Sequence, residues 1–169
     1  YQGSSMTAGE IGHTILFPAN PPGTRSLEQN CSRTNIVDRI LKLIRSNHKS
    51  IVPSLVDGDL SQVKSKTIAK AYQMGDELTV EVVDNAAELL GISIAGVVTL
   101  LSLGRVVLGG GLTEAMGDAL VDKVKKSVRA HVFPDKCRGV KVVGTKLLDD
   151  AGVNAASCEF RHEPSPAGM

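Results

Sequence analysis

In Arg105-Val106-Val107-Leu108-Gly109-Gly110-Gly111-Leu112 a short apolar, β-branched run closes on three glycines. From Thr113 to Ala130 apolar residues then recur at helical spacing through Met116, Leu120, Val124 and Val128. The reading is strand, glycine turn, helix. Glycines at such a turn let a ligand come close to the backbone, and the N–H groups opening the next helix favour phosphate or the polar edge of a nucleotide. The stretch is neither G-x-G-x-x-G nor a Walker A sequence. On its own it reads equally as a nucleotide turn and as a tight turn that binds nothing.

Upstream, Asp76 offers an N-cap, and Leu78, Val82, Ala86, Leu89, Ala95 and Val98 follow at steps of three or four, which predicts one helix to about Leu103. Its second half is apolar nearly all round and belongs between layers. The uncharged run Leu89–Gly104 is shorter than the roughly 20 residues of a membrane-spanning helix, so a buried core helix is expected and no membrane. A helix with Val63, Thr67, Ile68 and Ala71 on one face is expected from Leu60 to Met74, stopping at Gly75. Another starts at Ser26 and ends before Pro53, with Leu27, Ile36, Val37, Ile40, Leu41 and Ile44 as its apolar face. Residues 1 to 20 read as a short strand pair ending in the loop of Pro18, Asn20, Pro21, Pro22 and Gly23. Downstream come a strand over Val140–Val143 and a last helix over Leu147–Ser157. Asp149 and Asp150 favour a helix start over a cation site. The tail from Glu159 reads as disordered. Short strands alternating with longer helices mean α/β, with a mostly parallel sheet in the second half.

The composition narrows the function. The 169 residues are 42% hydrophobic and suit one domain or a piece of a larger one. Nineteen Lys plus Arg against eighteen Asp plus Glu leave a net charge of +1, so nothing global points to nucleic acid. Three distant cysteines, Cys31, Cys137 and Cys158, without a C-x-x-C pair, fit a reducing compartment, and a cytoplasmic location is expected. The four histidines are scattered, and neither a Ser-His-Asp nor a Cys-His set is present. The chain opens at Tyr1 without an initiator methionine, as a processed, truncated or partly recorded protein would.

Ala8-Gly9-Glu10-Ile11-Gly12-His13 places a carboxylate three residues from an imidazole, a pair suited to the vicinal hydroxyls of a sugar. By itself the plainer reading, a solvated Glu and a structural His, stands ahead. Glu28 follows the proline-glycine loop, in the first turn of a helix, where an acid ordinarily serves the helix dipole.

Taken in order, these pieces resemble the C-terminal part of the ROK family, the sugar kinases and sugar-responsive repressors named for repressor, open reading frame and kinase. The likeness is carried by Tyr1-Gln2-Gly3-Ser4-Ser5 leading into A-G-E-I-G-H, and by Leu27-Glu28 with Cys31-Ser32-Arg33-Thr34. It continues in the approach from Ala69 to Asp76 and the long helix into Val106–Gly111, and in Asp149-Asp150-Ala151-Gly152 with Ala155-Ala156. It implies the C-terminal half of an actin-like, ribonuclease H-like ATPase fold over residues 1–158, a mixed sheet packed by helices, with 159–169 as the tail. It also implies Glu10, His13 and Glu28 as residues that hold sugar hydroxyls, and Gly109, Gly110, Gly111 and Leu112 as the turn facing the nucleotide. The implied function is part of an ATP-dependent sugar kinase working with ATP and Mg2+, acting on a hexose or N-acetylhexosamine, and a homo-oligomer. The alternative is the sugar-sensing domain of a repressor whose DNA contacts lie outside this chain.

Two departures stand out. Family members commonly hold a structural zinc with the histidine of this motif and three cysteines of a C-x-C-G-x-x-G-C loop, but 17–27 contains no cysteine, so no zinc is expected. The family's catalytic aspartate and D-x-G-x-T phosphate loop belong to its N-terminal half, and neither is found in this sequence. No phosphotransfer by this polypeptide alone is therefore expected.

Overall fold

A computed structural model of the chain describes residues 3–145. Its sheet is built from the decisive stretch. Strand β1 (Arg105–Leu108) pairs in parallel with β2 (Lys141–Gly144), in register from Arg105 opposite Lys141 to Leu108 opposite Gly144. A parallel pair needs a crossover, and α5 (Gly111–Met116) and α6 (Asp118–His131) supply it. The single helix expected over Thr113–Ala130 is therefore two. Gly117 separates them at φ 57° and ψ −135°, a conformation an L side chain resists. Leu108 and Val142 face the core, whereas Val107 and Val143 lie on an exposed face.

The centre of the molecule is α4 (Glu77–Leu101), opened by Asp76 as expected and closed at Ser102 in the left-handed conformation. Its buried side carries Leu78, Val82, Val83, Ala86, Ala87, Ile94, Ala95 and Val98. Although its uncharged run is short, the whole helix is long and apolar enough to cross a membrane by length and composition alone. Here it forms the core with α1, α2 and α6 against it. The expectation that its second half lies between layers needs correction: Leu100 and Leu101 are 84% and 65% exposed. Among the described residues, only one side of that half is covered.

The N-terminal segment also departs from expectation. The described part of residues 1–20 holds no strand pair but one 3-10 turn, Ile11–His13, and a single antiparallel bridge from Ile15 to Ser26. Met6 at φ 57° and Gly9 at φ 94° turn the backbone out of the extended region and prevent a ladder. The helix expected from Ser26 breaks into α1 (Leu27–Cys31) and α2 (Arg33–Arg45). Ser32, extended at φ −67° and ψ 149°, ends the first helix and caps the second, its Oγ accepting from the Asn35 backbone N–H. Likewise α3 (Ser65–Gln73) is shorter than the expected Leu60–Met74, because Leu60–Gln62 is a separate 3-10 turn. Gly75 follows α3 at φ 76°. Leu147–Ser157, with Asp149 and Asp150, and the tail lie outside the described residues.

Candidate functional site

One short helix sets Glu28 beside His13, which shares a recess with Glu10. Glu28 sits in the first turn of α1, whose entry is fixed by a reciprocal cap: Ser26 Oγ accepts from the Gln29 N–H, and Gln29 Oε1 accepts from the N–H groups of Ser26 and Arg25. The Leu27 N–H donates to the Thr14 carbonyl, so α1 is tied to the segment bearing the 3-10 turn. Glu28 Oε2 lies 3.9 Å from His13 Nε2. Gly12 makes that approach possible, since a Cβ there would stand 3.3 Å from Glu28 Cβ. Glu10 precedes the turn and lines, with Thr7, His13 and Thr14, an open recess of about 590 Å³. Two carboxylates accept and an imidazole donates or accepts, and all remain open to solvent. That donor and acceptor set suits a polyol.

The same residues do not suit zinc. His13 faces a carboxylate, 17–27 has no thiol, and the described residues contain no group of three or more side chains able to hold a metal ion. Cys31 is turned away, its thiol donating to the Ala86 carbonyl oxygen at 3.3 Å. Burial pushes that thiol up to about 11, partly offset by the backbone at Leu90, so it is a packed residue and not a nucleophile.

Five residues beyond Glu28, Arg33 packs against the glycine turn. A cavity of about 210 Å³ is lined by Cys31, Ile36, Ala86, Leu90, Leu112 and Leu120, with Gly109, Gly110 and Gly111 as its backbone wall. Gly110 lies at φ 96° and ψ 160°, which glycine adopts readily and other residues do not. At Gly111 a Cβ would meet Ser65 Oγ at 3.4 Å and Arg33 Nη1 at 3.7 Å, so the turn runs close beneath the starts of α2 and α3. Thr113 Oγ1 donates to the Gly109 carbonyl oxygen and braces the turn. Beside it opens a wider cleft of about 970 Å³, lined by Arg33, Lys64, Ser65 and Lys66 among others. The sequence reading missed these residues as a group, because Arg33 and the lysines are 31 or more positions apart and only the helix ends bring them together.

A parallel βαβ unit that carries a glycine turn and is packed by helices has the fold of one half of an actin-like ATPase. The chain belongs to the ROK family, whose family model matches residues 1–162. It is 31% identical over 156 residues to a glucokinase of Halalkalibacterium halodurans, covering 89% of this chain and 47% of that protein. It is 32% identical over 160 residues to the DNA-binding transcriptional dual regulator NagC of Escherichia coli, covering 90% of this chain and 37% of that protein. The crystal structure of a ROK family glucokinase from Streptomyces griseus in complex with glucose and AMPPNP superposes with a TM-score of 0.74 at 23% identity, over 88% of this chain and 50% of that one. The chain thus spans about half or less of the length of these relatives.

Proposed function

We propose that this chain is the sugar-facing and nucleotide-facing half of an ATP-dependent sugar kinase, transferring phosphate to a hydroxyl of a hexose or N-acetylhexosamine. The observation that carries the reading is the placement of α1: one five-residue helix sets Glu28 beside His13 at one end and Cys31 in the glycine-turn cavity at the other. In this reading Glu10 and Glu28 accept hydrogen bonds from sugar hydroxyls and His13 orients a third, while Gly109–Leu112 presents bare backbone to the nucleotide. The described residues offer no set of carboxylates for Mg2+, which would arrive with the nucleotide and neutralise charge on its phosphates. The proton acceptor for the attacking hydroxyl is none of Glu10, His13 and Glu28; in this reading it is the family's catalytic aspartate, which belongs to the N-terminal half.

Calorimetric titration with glucose and N-acetylglucosamine tests this. Replacing Glu10 with Ala removes a charge-assisted hydrogen bond and should weaken hexose binding by about 1.5–3 kcal/mol. Unchanged affinity would overturn the assignment. The NagC similarity supports a second reading, a sugar-sensing domain of a repressor. The retained glycine turn favours the kinase, since a sensor needs no nucleotide. ATP binding that is absent while sugar binding persists would reverse that preference.

A further inference from the structure

Between the segment that carries Glu10 and His13 and the helix that carries Glu28 runs the stretch 17–27, where members of this family commonly place three cysteines on a zinc ion and this chain has none. The His13 and Glu28 side chains are 71% and 56% exposed and approach only to 3.9 Å, so their own contact does not fix their spacing. The backbone on either side of the loop does. The base of the loop is zipped by main-chain bonds: the Leu16 and Phe17 N–H groups donate to the Arg25 carbonyl, Ile15 bridges Ser26, and the Leu27 N–H donates to the Thr14 carbonyl. The tip is closed by side chains. Asn20 Nδ2 donates to the Thr24 carbonyl at 3.4 Å, Thr24 Oγ1 to the Pro21 carbonyl at 2.9 Å, and Arg25 Nε to the Asn20 carbonyl. From α1 the Asn30 amide reaches back over the loop, its Nδ2 donating to the Thr24 carbonyl at 3.0 Å and to the Ser26 carbonyl at 2.8 Å. Both partners are acceptors, so the two amide hydrogens are used in full.

We infer that Asn30, with Asn20 and Arg25, forms a metal-free clasp that does the work of the family's zinc and sets Glu28 beside His13. The inference rests on the sugar reading above for what the clasp serves, though not for the clasp itself. Asn30 is a positioning residue: it grips the end of the loop from the same short helix as Glu28 and acts through that helix. Zinc binding needs deprotonated thiolates and an ion to hold. Bonds from neutral amides and a guanidinium to carbonyl oxygens need neither, so the geometry of this recess is independent of metal supply.

The test measures zinc content, glucose affinity and amide exchange in this chain and its variants. Zinc should stay far below one ion per chain after growth with added zinc, and a chelator should change neither the glucose Kd nor the Tm. Asn30→Ala should weaken glucose binding about five- to tenfold, and Asn30→Asp, of the same shape but with an acceptor in place of the donors, at least as much. Asn20→Ala, which loses one long bond at the tip, should weaken it by about twofold. In a Glu28→Gln background Asn30→Ala should add less than about twofold, since a residue that acts through Glu28 has little left to act on. Stoichiometric zinc whose removal abolishes glucose binding, unchanged affinity in Asn30→Asp, or the full Asn30→Ala loss in the Glu28→Gln background overturns the clasp while the sugar reading stands. If the unaltered chain binds neither glucose nor N-acetylglucosamine, the sugar reading fails and exchange alone decides the clasp. The Leu16 and Phe17 amides should then exchange at least about tenfold faster in Asn30→Ala, and unchanged rates refute it.

Discussion

At Asp76 one carboxylate accepts four hydrogen bonds. The Ile51 N–H, the Ser50 hydroxyl and the N–H and hydroxyl of Thr79 all donate to it, at 2.6–3.0 Å. It therefore caps α4 and pins the segment before the 3-10 turn Val52–Val56 to it. Burial pushes the carboxyl up, but the four donors together outweigh that and hold it below the usual carboxylate range. A depressed folded-state value means that the ionised group adds stability above the unfolded value, near 3.9, which is lost as pH falls through and below it. Asp76→Ala should cost about 2–3 kcal/mol at neutral pH, from the lost cap and the buried donors left unmet. Denaturant midpoints of both proteins should converge as pH is lowered toward about 2, and a constant gap would contradict this account. The cap was legible in the sequence as an acid before a periodic apolar run. The donors from Ser50 and Ile51 were not, because they arrive from 25 or more positions away through folding alone.

Between elements, α4 and α6 approach closely at Gly91. A Cβ on Gly91 would stand 2.4 Å from Ser127 Cβ and 2.9 Å from the Val124 carbonyl oxygen. Ser127 Oγ in turn donates to the Glu88 carbonyl. Gly91→Ala gains helix propensity of about 0.8–1.0 kcal/mol, yet it forces the two helices apart at a cost of typically 1–3 kcal/mol. Net destabilisation, read as a lower melting temperature, is the expected outcome, and a rise would show that the helices separate freely. Periodicity found the helices here because each buries one apolar face, and it missed their breaks because those depend on single residues. Ser32 and Gly117 change only the backbone path, and no apolar position drops out of register to announce them. Gly117→Ala should therefore cost about 1–3 kcal/mol through strain at φ 57°, measurable by urea denaturation.

For the molecule as a whole, the class of fold was legible because the strand, glycine turn and helix of 105–130 needed only local rules. The residues of the two recesses were named from motif order, but that Glu28 reaches His13 past a side-chain-free Gly12 is a product of packing. Arg33, Lys64 and Lys66 stayed hidden because surface charges at helix starts carry no sequence signature of convergence. In a coupled assay with glucose and ATP this 169-residue chain should form no ADP above background, since it lacks the D-x-G-x-T loop. The central claim is that sugar and nucleotide occupy two adjacent recesses joined by α1. Amide shift mapping by nuclear magnetic resonance, with glucose and AMPPNP added in turn, tests it most directly. Glucose should move Gly9–Thr14 and Leu27–Glu28, AMPPNP should move Cys31–Arg33 and Gly109–Thr113, and the segment between Glu28 and Cys31 should respond to both. Shifts confined to other faces, or both ligands moving the same residues throughout with no separate Gly9–Thr14 and Gly109–Thr113 sets, would contradict it.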